Sequence, residues 1–159
     1  MDIKGNKFLV FELSDEYYAV SVQATREIIR IMEITDVPKA PPFIKGVINL
    51  RGKIIPVIDL RIKFGLAEKQ YDEKTCIIIL EINEEEKSRP MGVIVDTVSE
   101  VLNIQDDEIA PPPEFNNQDQ MDFLYGIGKI KDRIIWLLNL DKIVSCDELV
   151  IINKLKEDL

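Results

Sequence analysis

Gly46-Val47-Ile48-Asn49-Leu50-Arg51-Gly52-Lys53-Ile54-Ile55-Pro56-Val57-Ile58-Asp59-Leu60 aligns without a gap on Gly126-Ile127-Gly128-Lys129-Ile130-Lys131-Asp132-Arg133-Ile134-Ile135-Trp136-Leu137-Leu138-Asn139-Leu140, at an offset of 80 residues (126 − 46). Each copy reads as a strand opened by glycine, a tight turn with a basic residue on either side (Arg51 and Lys53; Lys131 and Arg133), and a second apolar strand, which is a β-hairpin repeated. Upstream, residues 22–31 match residues 95–104 at an offset of 73, which sets Glu27 against Glu100. The proline-rich stretches 37–43 and 109–115 follow at an offset of 72. Three matches in the same order point to duplication rather than chance. The drift from 72 to 80 is absorbed by a longer polar connection over 116–123, expected to be a surface loop.

Two related β subdomains are therefore expected, over about 8–66 and 75–140, with a tail of one or two amphipathic helical pieces over 141–159. Short segments rich in Val, Ile and aromatics dominate: 8–13, 17–22, 46–50, 54–58, 75–82, 91–95 and 134–138, with short helical turns predicted at 23–29 and 59–64. Each half has too few strands for an open sandwich, so a small five-stranded barrel is the natural closure that hides sheet edges. At about 60 residues a half would be marginal alone, and the two should share a core.

Composition narrows function. Of 159 residues, 46% are hydrophobic and 31% charged, an ordinary globular balance. Twenty basic against 29 acidic residues give a net charge of −9, which opposes a grip on phosphate backbones, so no nucleic-acid partner is expected. The absence of histidine removes the commonest general base and metal ligand. None of Ser14, Ser21, Ser88, Ser99 and Ser145 sits in a nucleophile frame, and the glycines lack the phosphate-loop spacing. The acidic runs 84–86 and 106–108 lack calcium-loop spacing and read as solvated turns. No catalytic residue, metal site or cofactor is expected. Cys76 and Cys146 are too far apart for a redox pair and read as buried free thiols suited to a reducing cytosol. Neither a secretory leader nor a membrane span is visible, since the longest apolar runs have five residues.

What remains is an interaction surface. Arg51 stands at the tip of the first hairpin, where a planar guanidinium can fork onto a partner's carboxylates or carbonyls. Simple solvation, or a structural pair with a carboxylate such as Asp59, explains it as well. The segment Thr25-Arg26-Glu27-Ile28 reads as a helix that packs on its own barrel or meets a partner.

The run from Pro42 to Phe64 closely resembles the signature of CheW-like proteins, the adaptors of bacterial chemotaxis. Agreement extends to the Phe8-Leu9-Val10-Phe11-Glu12-Leu13 opening, to the Gly92-to-Val101 segment, to the proline run ending at Phe115 and to Leu137-Leu138-Asn139-Leu140. No histidine-phosphotransfer, ATPase or receiver segment accompanies it, so the chain is similar to the stand-alone adaptor. The resemblance implies two pseudo-symmetric SH3-like barrels around a common hydrophobic core. It also implies a cytoplasmic protein, at membrane-associated arrays, that couples methyl-accepting chemoreceptor tips to the regulatory domain of the chemotaxis histidine kinase without catalysis or membrane insertion. Carried over by position, Gly46 and Arg51, with Asn49, Leu50 and Gly52 around them, fall on motif residues used in that coupling. Thr25, Glu27 and Ile28 fall on a receptor-facing segment, and Val98 and Val101, with Gly92 nearby, fall on the opposite side of the groove. Thr25 stands where the family often has a branched apolar residue. The alternatives are a CheW-like adaptor of another receptor–kinase pathway, controlling surface motility or gene expression, and a small-molecule-binding β-barrel.

Overall fold

Two-residue turns set the framework. Ser14 and Asp15 (φ 52° and 69°), and Arg51 and Gly52 (φ 52° and 87°), all take left-handed backbone, the geometry whose twist suits a tight hairpin. Lys131 (φ 56°) occupies the position equivalent to Arg51 in the second copy. In the computed structural model, which describes residues 6–84, 87–112 and 123–143, eleven strands form around these turns among the described residues.

The first half supplies β1 (Lys7–Leu13), β2 (Glu16–Ser21), β3 (Thr25–Arg30), β4 (Ile44–Leu50) and β5 (Lys53–Asp59), then the one-turn helix α1 (Leu60–Lys63). The second supplies β6 (Cys76–Glu84), β7 (Lys87–Val95), β8 (Thr97–Asn103), β9 (Ile109–Ala110), β10 (Leu124–Ile130) and β11 (Arg133–Leu138). They assemble into a six-stranded sheet, β8-β1-β2-β11-β10-β9, and a five-stranded sheet, β3-β6-β7-β5-β4. The fold is mainly β, as expected, and its two sheets agree with SH3-like units. Among the described residues no helix is long and apolar enough to cross a membrane.

Neither sheet follows the contiguous boundaries 8–66 and 75–140. The hairpin β1–β2 lies between β8 and β11 of the second half, and β6–β7 lies between β3 and β5 of the first. Each half lends its opening hairpin to the other, which is why the halves cannot be parted without breaking both sheets. The helical turn expected over 23–29 is also corrected. Only Val22–Ala24 makes a 3-10 turn, capped by the Ser21 hydroxyl, and Thr25 onward pairs with β6 as a strand. Asp59 does start a helix, its carboxylate accepting the Arg61 N–H at 2.9 Å.

Both sheets curl. The five residues from Arg30 to Thr35 reach at most about 17 Å, yet a flat sheet would need about 24 Å to bring Thr35 beside the far edge. Thr35 nonetheless exchanges two backbone hydrogen bonds with Val47 of β4, at 2.8 and 2.9 Å. In the other sheet the chain leaving β8 returns within six residues as β9, on the outer side of β10.

This architecture gives three apolar clusters. Ile48, Ile55, Val57, Ile77, Ile79 and Ile94 fill the curl of the five-stranded sheet, and Phe8, Val10, Ala19, Ile104, Ile135 and Leu137 fill that of the other. The largest cluster, including Leu9, Phe11, Val20, Ile58, Ile78, Leu80, Val93 and Leu138, draws on both sheets. Alternation along a strand explains the division: Ile77 and Ile79 point into one sheet's interior while Ile78 and Leu80 join the shared core. A chain of ring contacts continues the junction, Phe11 stacked on Tyr18, Tyr18 tilted against Phe64 and Phe64 stacked on Phe123, with centroids 5.9, 5.7 and 4.9 Å apart. Beside them the Asp96 carboxylate accepts from Arg61, within α1, and from the Ser14 N–H of the β1–β2 turn, tying the sheets by charge as well.

Cys76 is a half-buried free thiol that donates to the Lys74 carbonyl at 3.3 Å. Cys146, residues 85–86, most of the 116–123 connection, Phe115 and the tail beyond Ile143 lie outside the described residues. The acidic run 106–108 forms a 3-10 turn in which Glu108 accepts the Gln105 N–H.

Candidate interaction surface

Arg51 sits where local preference would put Asn or Gly, since it is the first residue of a turn that requires positive φ. The turn itself is satisfied by its neighbours: Asn49 Oδ1 accepts the Gly52 N–H at 2.9 Å, and Gly52 supplies the second left-handed residue. Nothing in the hairpin needs a guanidinium there. Arg51 instead reaches across to β3 and donates to the Glu27 carboxylate, its side chain still 69% exposed. The partner is Glu27 and not Asp59, which is buried, caps α1 and accepts from the Tyr71 hydroxyl.

The second copy repeats the device with one change. Glu100 of β8 pairs with Arg133, two residues beyond the position equivalent to Arg51, and the Arg133 guanidinium also lies 5.2 Å from the Tyr17 ring centroid. A carboxylate on an edge strand bonded to a hairpin arginine thus marks both halves.

Arg51's hydrogen bond holds the Glu27 carboxyl below its ordinary 4.5, with the charges of Arg51 and Arg26 adding to it. Because the folded value is depressed, the contribution of this pair is present above the ordinary Glu range and is lost as pH falls through the lower folded value. A carbon-13 NMR titration of the Glu27 carboxyl should therefore show a midpoint below 4.5 that returns toward it in Arg51→Ala. An unchanged midpoint in the variant would mean that the pair does not persist in solution.

Glu27, Leu50 and Arg51 line a depression of about 290 Å³ together with Arg26, Lys53, Ile55 and Ile79. Of these, Arg26, Lys53, Ile55 and Ile79 were not legible as site residues. Lys53 carried a hint as the second basic residue flanking the turn, and Arg26 as a member of the singled-out segment Thr25-Arg26-Glu27-Ile28.

Ile28 points the other way. Its cross-strand neighbour is Ile78 in the shared core, and the register continues through Val93, Ile58 and Ile44. The other sheet has a comparable row: Val101, Leu9 and Val20 are cross-strand neighbours, as are Leu138 and Leu124, and Val20 and Leu138, each one residue past the paired Ala19 and Leu137, join the two pairs in the same core cluster. Four residues of each row are buried and the fifth is open to solvent, Ile28 at 44% and Val101 at 54%. Val98, opposite Phe11, is half-buried against the same core. Ile28 and Val101 thus form exposed margins of the inter-sheet core, with Val98 half-buried on the same strand as Val101. The Thr25 hydroxyl bonds the Ser21 carbonyl at 3.1 Å, so its polar atom is engaged locally.

Gly46 and Gly92 lie in the interior. A Cβ on Gly92 would come 2.8 Å from the Ile77 side chain and 3.3 Å from Val57, and one on Gly46 would overlap the Thr35 carbonyl oxygen. Any part they take in a surface is through the backbone they shape. Among the described residues no group of three or more Cys, Asp and Glu side chains is arranged to hold a metal ion.

The family model of the CheW-like domain matches residues 7–148. The chain belongs to the CheW-like family. It is similar to the chemotaxis protein CheW of Klebsiella aerogenes, with 37% identity over 149 residues covering 94% of this chain and 87% of that one. Its identity to the chemotaxis protein CheW of Rhizobium meliloti is 32% over 144 residues, covering 91% and 90%. The crystal structure of the scaffolding protein TtCheW from Thermoanaerobacter tengcongensis superposes with a TM-score of 0.79 at 38% identity, covering 91% of this chain and 90% of that one. The CheW-like match spans both sheets and both carboxylate–arginine pairs.

Proposed function

We propose that this chain is a non-catalytic chemotaxis adaptor in the cytoplasm, coupling the cytoplasmic tips of methyl-accepting chemoreceptors to the regulatory domain of the chemotaxis histidine kinase at membrane-associated arrays. Its CheW-like membership supports the class. The observation that carries the reading is the pair of comparable core rows that end in exposed Ile28 and Val101. Two apolar margins flanking one core suit the apolar stripe of an amphipathic helix, the form a receptor's helical tip would present. The depression with Arg51 and Glu27 lies on the other face of β3, so a second partner can be met without obstructing the first. Gly46, Asn49 and Gly52 serve by shaping the hairpin that presents Arg51, and Thr25, Val98 and Gly92 by supporting the margins.

Calorimetry with a receptor tip fragment tests this. Ile28→Asp should weaken binding about tenfold or more, as expected of a charge placed against an apolar anchor, while the melting curve stays near wild type because Ile28 is exposed. Unchanged receptor affinity in that variant would contradict the assignment of this face.

A further inference from the structure

The depression beside the first hairpin has a chemistry of its own. Its floor is aliphatic, with Ile55 and Ile79 almost completely buried and Leu50 half-buried. Its rim carries three cations, Arg26, Arg51 and Lys53, against one carboxylate, Glu27, in a chain whose net charge is −9. The cations differ in how they are engaged. Arg26 is occupied by Glu81, Nε to Oε1 at 2.8 Å, and Glu81 also accepts from Ser88. Arg51 gives one terminal nitrogen to Glu27 and leaves the rest of its fork exposed. Lys53 forms no ion pair with any described residue, although it flanks the same turn and lines the same depression.

A local excess of cation over an apolar floor, on an acidic protein, selects a ligand group of opposite charge attached to aliphatic carbon. A carboxylate placed here can accept from the free fork of Arg51 and from the Lys53 ammonium together, while Glu27 keeps the guanidinium in register. The carbon chain beside that carboxylate would then cover Leu50, Ile55 and Ile79.

We infer that this depression receives an aspartate or glutamate side chain of a partner protein, bound between Arg51 and Lys53 with a neighbouring aliphatic group on the floor. The site rests on the adaptor reading and sharpens it: whichever of the two partners meets the first hairpin does so with an acidic-aliphatic segment, and Lys53 contributes to that recognition. Lys53 is exposed at the start of β5, so changing it leaves the core untouched.

Titration calorimetry of the full chain with a receptor tip fragment and, separately, with a kinase regulatory-domain fragment decides the matter, with circular dichroism melts to confirm folding. Lys53→Glu should weaken one of the two complexes about tenfold and Lys53→Gln about threefold, and binding to that fragment should become less salt-dependent in Lys53→Gln than in wild type. Wild-type chain that binds a fragment while Lys53→Glu binds both fragments equally well overturns the carboxylate site and leaves the adaptor reading standing. Wild-type chain that binds neither overturns both.

Discussion

Gly46→Ala should be the most destabilising single-methyl change in this protein. Gly46 has φ +150°, a conformation that side chains rarely adopt, and a Cβ there would run into the Thr35 carbonyl oxygen and come 2.9 Å from the Ile34 methyl. Two costs add. The alanine would sit in a backbone conformation that is strained for any residue with a Cβ, about 1–3 kcal/mol, and the Thr35–Val47 bridge that closes the curl of the five-stranded sheet must open or shift, losing two backbone hydrogen bonds worth about 1 kcal/mol each. A loss of about 3–5 kcal/mol follows, which lowers the melting temperature of a domain this size by about 10 °C. Gly126→Ala, the equivalent change in the other half, should cost less. Its Cβ would meet the Ala110 oxygen and an Ile109 methyl at 2.9 Å, but no positive φ is required there. Urea denaturation of the two variants checks the order. Equal, small effects would show that the Thr35 bridge is not what closes the sheet.

The largest effect on binding should come from Arg51→Glu. The substitution sets two carboxylates against each other at the hairpin tip and reverses the charge that the site presents. Partner affinity should fall about thirtyfold or more, within the range of a charged anchor at an interface centre. Stability should barely move, since the side chain is mostly exposed. Arg51→Asn separates the two roles. Asn suits the first position of this turn better than Arg, so that variant should be at least as stable as wild type and still bind poorly. Calorimetry against receptor and kinase fragments reads affinity, and a thermal melt reads the fold. Wild-type affinity for both fragments in Arg51→Glu would return Arg51 to the role of a solvated turn residue.

Much of this was legible before any coordinates. The repeat located both hairpins, set Glu27 against Glu100 and marked the basic residues flanking each turn, but it did not join those residues to the two glutamates and offered Asp59 as the partner of Arg51. The exchange of hairpins was not legible, because a repeat reports which strands exist and not which neighbours they choose. Strand β3 was misread for a local reason. Arg26-Glu27-Ile28-Ile29-Arg30 has charges and branched residues spaced to satisfy either a helix or a strand, and pairing with Ile77, Ile78 and Ile79 of β6 decided it. The Arg51–Glu27 pair spans 24 residues and so left no local trace. Gly92 looked like part of a partner-facing segment, yet only the packing of Ile77 and Val57 around it shows that it lies inside.

The account stands most directly on one measurement, kinase autophosphorylation in a reconstituted mixture of cognate receptor fragment and kinase with and without this chain. Adding wild-type protein should bring kinase activity under receptor control, and adding Arg51→Glu at the same concentration should not. Activity that does not change when the wild-type chain joins receptor and kinase would contradict coupling as its function.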